Sequence, residues 1–288
     1  MNTFFQLFTQ SFVENAFLAG TLIAIVAAIV GYFVVLRAQA FAAHALSHVG
    51  FAGATLAAVL GISGLLGMAG FTVAAGFGMG ALGKRIRGRD VEIGMILSFA
   101  LGLGVLFLNL YSDSASETVS ILFGSILSVT QEDIILTLIF GIGTLLILAA
   151  IFRPLLFSSI DPEVAEARGV PIKILSVLFM FLLAITVAEA IQVVGVLLVF
   201  ALIVAPAAAA QHLTRKPFSA IAISVALGVA FTWGGLLLAL VTSWPVSFYI
   251  AALAAVTYFA AIRIGHWRRP HARAAHGHPG KEHIPAAR

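Results

Sequence analysis

The sequence predicts an all-α fold, a polytopic helical membrane protein of about nine transmembrane helices. Three observations predict it. Of 288 residues, 61% are hydrophobic and 10% charged. Apolar runs of roughly 20 residues, the length that crosses a bilayer as helix, recur along the chain. The basic residues gather in alternate gaps between those runs, the pattern of a chain threaded back and forth under the positive-inside rule.

In chain order the runs lie at 12–36, 42–60, 64–83, 91–110, 133–152, 172–190, 193–211, 218–241 and 246–265. The first follows "MNTFFQLFTQSFVEN", which lacks the basic region and cleavage site of a secretory signal and reads as an interfacial lead-in. It ends at Arg37. The second carries "HALSH" at 44–48 and, like the sixth, is short enough to be read also as a broken or re-entrant segment. Gly76 and Gly80 give the third the four-residue spacing of close helix approach in lipid, and Lys84, Arg85, Arg87 and Arg89 follow it. The fourth leads into "YSDSASETVS", and Arg153 closes the fifth. The sixth and seventh are joined by a tight turn around Glu189 and Gln192, and Pro206 is expected to kink the seventh. Arg215 and Lys216 precede the eighth; "TSWPVS" precedes the ninth. With the C-terminus in the cytoplasm, all 16 Lys and Arg fall on the inner side and the N-terminus lies outside. His212 is then expected in an inner loop, with Glu132 and Asp133 in an acidic outer one.

Several function classes drop out. The net charge of +4 comes from residues that orient spans, so no nucleic-acid role follows from it. There is no cysteine, hence no thiolate metal site, disulfide or thiol catalysis. No internal repeat stands out, and no soluble segment is long enough to bury its own core. The membrane domain spans 1–265, and the tail at 266–288 has the Pro, Gly and Ala content of a disordered segment.

Three places carry chemistry. His44 and His48, four apart, share a helix face and can present two imidazoles to one metal ion. Imidazole suits zinc, copper, iron and nickel better than manganese, and two weak ligands suit a path that must release its cargo. The loop "SSIDPEVAEARGVPIK" reads as a short bounded helix at about 161–170: Asp161 caps it, Pro162 opens it, Glu163 suits its positive end, Arg168 its negative end, and Gly169 closes it. The tail holds His271, His276, His278 and His283, loose metal ligands at most. Ser47 and Glu189 are further candidates along a pathway. Glu189 reads otherwise as an acid reaching the headgroup region. No phosphate-binding loop of the form G-x-x-x-x-G-K-[ST] occurs, so any ATP chemistry belongs to a partner.

Four segments in this order, "ALSHVGFAGATLA" at 45–57, "FGSIL" at 123–127, "DPEVAEARGVP" at 161–171 and "VVGVLLVFALIVAPAAAA" at 193–210, resemble the permease subunits of bacterial ABC importers for zinc, manganese and iron. The resemblance implies a multi-pass protein of the bacterial inner membrane that is not itself an enzyme. It implies a second permease copy, ABC ATPase subunits, and an extracytoplasmic metal-binding protein. The ATPase would be met through Asp161, Glu163, Ala165, Glu166 and Gly169. No tightly bound cofactor is expected; a divalent metal is the cargo. Where the family pattern commonly has aspartate this chain has His44, which places zinc ahead of manganese. Two rivals remain at this stage, a gradient-driven secondary metal transporter and an intramembrane metalloenzyme. The first would usually show paired broken helices and the second needs a third ligand.

Overall fold

The computed structural model describes residues 10–81, 90–111, 124, 126–242 and 244–267. Lys84, Arg85, Arg87 and Arg89, and the tail with His271, His276, His278 and His283, lie outside these. Among the described residues, ten α-helices follow one another: α1 (Ser11–Leu36), α2 (Ala40–Leu60), α3 (Gly64–Ala81), α4 (Asp90–Leu110), α5 (Gln131–Ile160), α6 (Pro162–Ala167), α7 (Ile172–Val194), α8 (Val196–Leu213), α9 (Pro217–Val241) and α10 (Val246–Trp267). One 3-10 turn, Ile126–Ser128, precedes α5. All but α6 are long and apolar enough to cross a membrane.

The helices pack as two interlocked groups. One holds α2, α3, α4 and α7; the other holds α1, α8, α9 and α10; contacts of α1 with α7 and of α2 with α8 join them, and α5 lies against α1 and α7. Lipid offers no hydrophobic drive for one apolar helix to meet another, so the joints depend on close van der Waals approach. Glycine supplies it. A Cβ on Gly31 of α1 would sit 1.9 Å from the carbonyl oxygen of Ile203 in α8, and one on Gly53 of α2 would sit 2.3 Å from that of Gly67 in α3. Gly76 and Gly80 of α3 lie against Met180, Ala184 and Val177 of α7, which is the packing role their spacing suggests.

Four elements depart from the sequence reading. The fifth span was expected to end at 152; α5 continues through Pro154 to Ile160. At 1.5 Å per residue its 30 residues reach about 45 Å, well beyond a hydrocarbon core of about 30 Å. Polar residues at its start, where Thr130 and Asp133 form a capping box, draw Glu132 and Asp133 out of the expected loop and into the first turn. The second span is an unbroken helix rather than a broken one. The turn expected around Glu189 and Gln192 lies farther on, because α7 runs to Val194. Gly195 alone joins it to α8, at φ 80 and ψ 160, a backbone region essentially open to glycine only. His212 belongs to the last turn of α8, with its ring centroid 5.9 Å from that of Tyr258 on α10.

Candidate functional site

From Ala42 to Thr55 every residue of α2 is buried except His44 and His48. The small residues flanking them, Ala43, Ala45, Ser47 and Gly50, let neighbouring helices close in, so the two imidazoles emerge on the one face left open. Their ring centroids are 4.7 Å apart with the planes at 87°. Phe200 of α8 sets its ring edge-on against His44 at 5.4 Å, and is itself 38% exposed. Along α2 the pair lies about 6 and 12 Å from Ala40, in the half of the helix that begins at the α6 end of the bundle.

Ser47 does not join them. It is 1% exposed, and its hydroxyl donates to the carbonyl of Ala43 at 3.1 Å. The physical reason is burial: Ser47 lies toward the flank of that face where neighbouring helices close in, and a buried hydroxyl on a helix finds its acceptor one turn back. Glu189 does not reach out of the bundle either. It is 3% exposed within α7, and neither carboxyl oxygen has a hydrogen-bond partner among the described residues. Ile191 packs onto Gly50 of α2. At about 100° per residue, Glu189 points about 160° away from Ile191. Its direction is closer to that of Gln192, whose amide donates to Asp133 of α5 at 2.6 Å. The structure therefore separates Glu189 from the histidine pair.

At the α6 end, Asp161 Oδ1 accepts from the Val164 N–H at 3.0 Å and Pro162 occupies the first turn. The last turn closes with Val170 N–H on Ala165 O at 3.0 Å and Gly169 N–H on Glu166 O at 2.9 Å, with Gly169 at φ +82. Ala165 is buried against the bundle, while Glu163 and Glu166 are exposed. The result is a rigid, acidic helical knob held between α5 and α7.

Among the described residues no group of three or more His, Cys, Asp or Glu side chains could hold a metal ion. The described residues thus present two imidazoles on an open face and no closed cage. Sequence reasoning missed Phe200, because a phenylalanine in an apolar span carries no signal of its own. It also took Arg37 for a solvated loop charge, whereas Arg37 is 2% exposed. Only three residues separate α1 from α2, which was the available hint that this side chain has little freedom to leave the bundle.

Residues 9–265 match the model of the ABC 3 transport family. The manganese import system permease protein ScaB of Streptococcus parasanguinis is 32% identical over 268 residues, covering 93% of this chain and 95% of that protein. The manganese transport system membrane protein MntC of Halalkalibacterium halodurans is 33% identical over 217 residues, covering 74% of each. A solved structure described as PsaBC from Streptococcus pneumoniae in complex with Fab superposes with a TM-score of 0.81 at 28% identity, over 93% of this chain and 99% of that one.

Proposed function

The chain belongs to the ABC 3 transport family and is the multi-pass inner-membrane permease of an ABC metal importer, and from that premise we propose how it carries its cargo. Two copies pair through the face that bears His44, His48 and Phe200, and metal crosses between them by exchanging imidazole and water ligands. ATP is hydrolysed by separate ATPase subunits docked on α6, and an extracytoplasmic metal-binding protein delivers the ion to the opposite end. With α6 in the cytoplasm, the N-terminus lies outside. The observation that carries the route is the isolation of the two imidazoles as the only residues between Ala42 and Thr55 that are not buried, with no group of three or more candidate ligands among the described residues to close a site. Family membership leaves no ground for the gradient-driven transporter or the intramembrane metalloenzyme.

The cargo we propose is manganese, with zinc as a tight competitor. The relatives bear manganese in their names, which gives no support to the expectation that placed zinc first. Imidazole binds zinc more strongly than manganese, so four imidazoles at a shared path would release zinc slowly.

Proteoliposomes holding permease, ATPase and metal-binding protein test the route. His48→Ala is expected to lower uptake of manganese by about tenfold or more while leaving assembly intact. His44→Asp is expected to keep manganese uptake and relieve zinc inhibition, because the carboxylate is the harder ligand. Wild-type uptake by a folded, assembled His48→Ala permease would place the route elsewhere.

A further inference from the structure

Arg37 ends α1, and its guanidinium reaches both stems of the α6 knob. Nη1 donates to Ser159 Oγ at 3.2 Å, in the last turn of α5, and Nη2 donates to Ser176 Oγ at 2.9 Å, in the first turns of α7. The guanidinium carbon also lies 5.5 Å from the centre of the Phe179 ring. That ring belongs to a cluster with Phe33 of α1 and, through it, Phe152 of α5. Burying a charge at such a joint is costly, and these contacts offset part of the cost: Nη1 and Nη2 each find a hydroxyl and the ring lies near the guanidinium carbon, while Nε is buried without a hydrogen-bond acceptor among the described residues.

The same residue starts the corner that aims α2. Arg37 N–H donates to Phe33 O at 2.9 Å, and Gln39 N–H reaches back to Val34 O at 2.8 Å. Between them Ala38 has φ 55, left-handed backbone that a residue with a Cβ adopts only under constraint. α2 begins at Ala40, and His44 follows within its second turn. A cavity of about 820 Å³ separates this corner from the knob, with Arg37, Ser159, Asp161, Glu163, Glu166 and Lys173 in its wall. Space therefore lies between the knob and the end of α1, and Arg37 reaches along its wall to Ser159 and Ser176.

We propose that Arg37 is a positioning residue of the transport cycle: by holding the α1–α2 corner to Ser159 and Ser176, it carries movement of α6 to the histidine pair. This rests on α6 as the ATPase contact and on His44 and His48 as the metal route. α7 also packs on α2, and one such approach, Ile191 against Gly50, lies beyond the pair as seen from α6. Arg37 makes the connection on the α6 side of it.

The test uses the full permease with ATPase and metal-binding protein in proteoliposomes, reading metal uptake, ATP hydrolysis and their ratio. Arg37→Met is expected to keep ATPase bound and hydrolysis within about twofold of wild type while uptake per ATP falls about tenfold. The double variant Ser159→Ala, Ser176→Ala leaves the arginine in place and is expected to lose roughly threefold in the same ratio. Arg37→Lys is expected to recover part of it, since one ammonium can reach one hydroxyl but not brace both stems. An unchanged ratio in folded Arg37→Met overturns the proposal, as does a proportional fall in uptake and hydrolysis, the signature of lost docking. If Arg37→Met fails to assemble, the serine pair decides, and a wild-type ratio there overturns it equally. Failure of the functional reading is separate: it is read from Glu166→Arg, whose unaltered ATPase binding would remove α6 from the interface whatever Arg37 does.

Discussion

Helices α2 and α4 have the same length, 21 residues, and lie side by side, yet they are built for opposite surroundings. The more apolar of the two is the less buried. α4 has a mean hydropathy of 2.2 and 17% of its span window buried; α2 has 1.4 and 67%. In a soluble protein the order would be reversed, because water expels apolar surface into the core. In a bilayer the outer surface must be apolar, while the interior is chosen by closeness of fit and by polar groups that need partners. α4 leaves Phe99 and Val105 70% and 62% exposed on the outside of the bundle, as a helix facing lipid would. α2 spends glycine, alanine and serine on its neighbours and keeps two imidazoles for the open face.

That contrast can be broken where it is strongest. Gly53→Leu in α2 drives a side chain into the backbone of α3 and is expected to cost about 3 kcal/mol, enough to lose folded permease in detergent. Gly102→Leu in α4, where a new Cβ meets nothing within 4 Å, is expected to leave yield and thermal stability unchanged. Size-exclusion profiles and melting curves of the two variants make the comparison. Equal losses would show that the two helices are packed alike after all.

A second effect, of similar size at its largest, is expected from polarity. Phe99→Arg on the lipid face of α4 is expected to hinder insertion by about 3 kcal/mol, read as the inserted fraction in a glycosylation-mapping assay. Glu189→Gln, on buried α7, removes a carboxyl with no partner and is expected to raise stability by roughly 1 kcal/mol without altering uptake. A large loss of uptake in that variant would return Glu189 to the pathway.

The same contrast explains what could be read from the sequence. Spans announce themselves because every one is apolar enough for lipid, and α6 because its signals are local: a capping aspartate, a proline behind it, a closing glycine. Nothing local tells a helix wall facing lipid from one facing protein. Glu189 and Arg37 were therefore placed at the surface by hydropathy, although helices distant in sequence close over both. Phe200 becomes part of the site only because α8 crosses α2 beside His44. The length of α5 was hidden by Arg153 and Pro154, which look like a terminus and turn out to lie within a helix.

Gly195 has a consequence during synthesis. A single residue links α7 to α8, so the finished helices form one apolar hairpin with no loop between them. In that form the two can enter the bilayer together. Glu189 enters as part of that hairpin, its cost of transfer shared with 18 residues of α8 at a mean hydropathy of 2.1. A nascent chain stopped before α8 would hold that acid in a helix with no companion, so pausing or truncation at this point is where membrane quality control would find the protein most vulnerable.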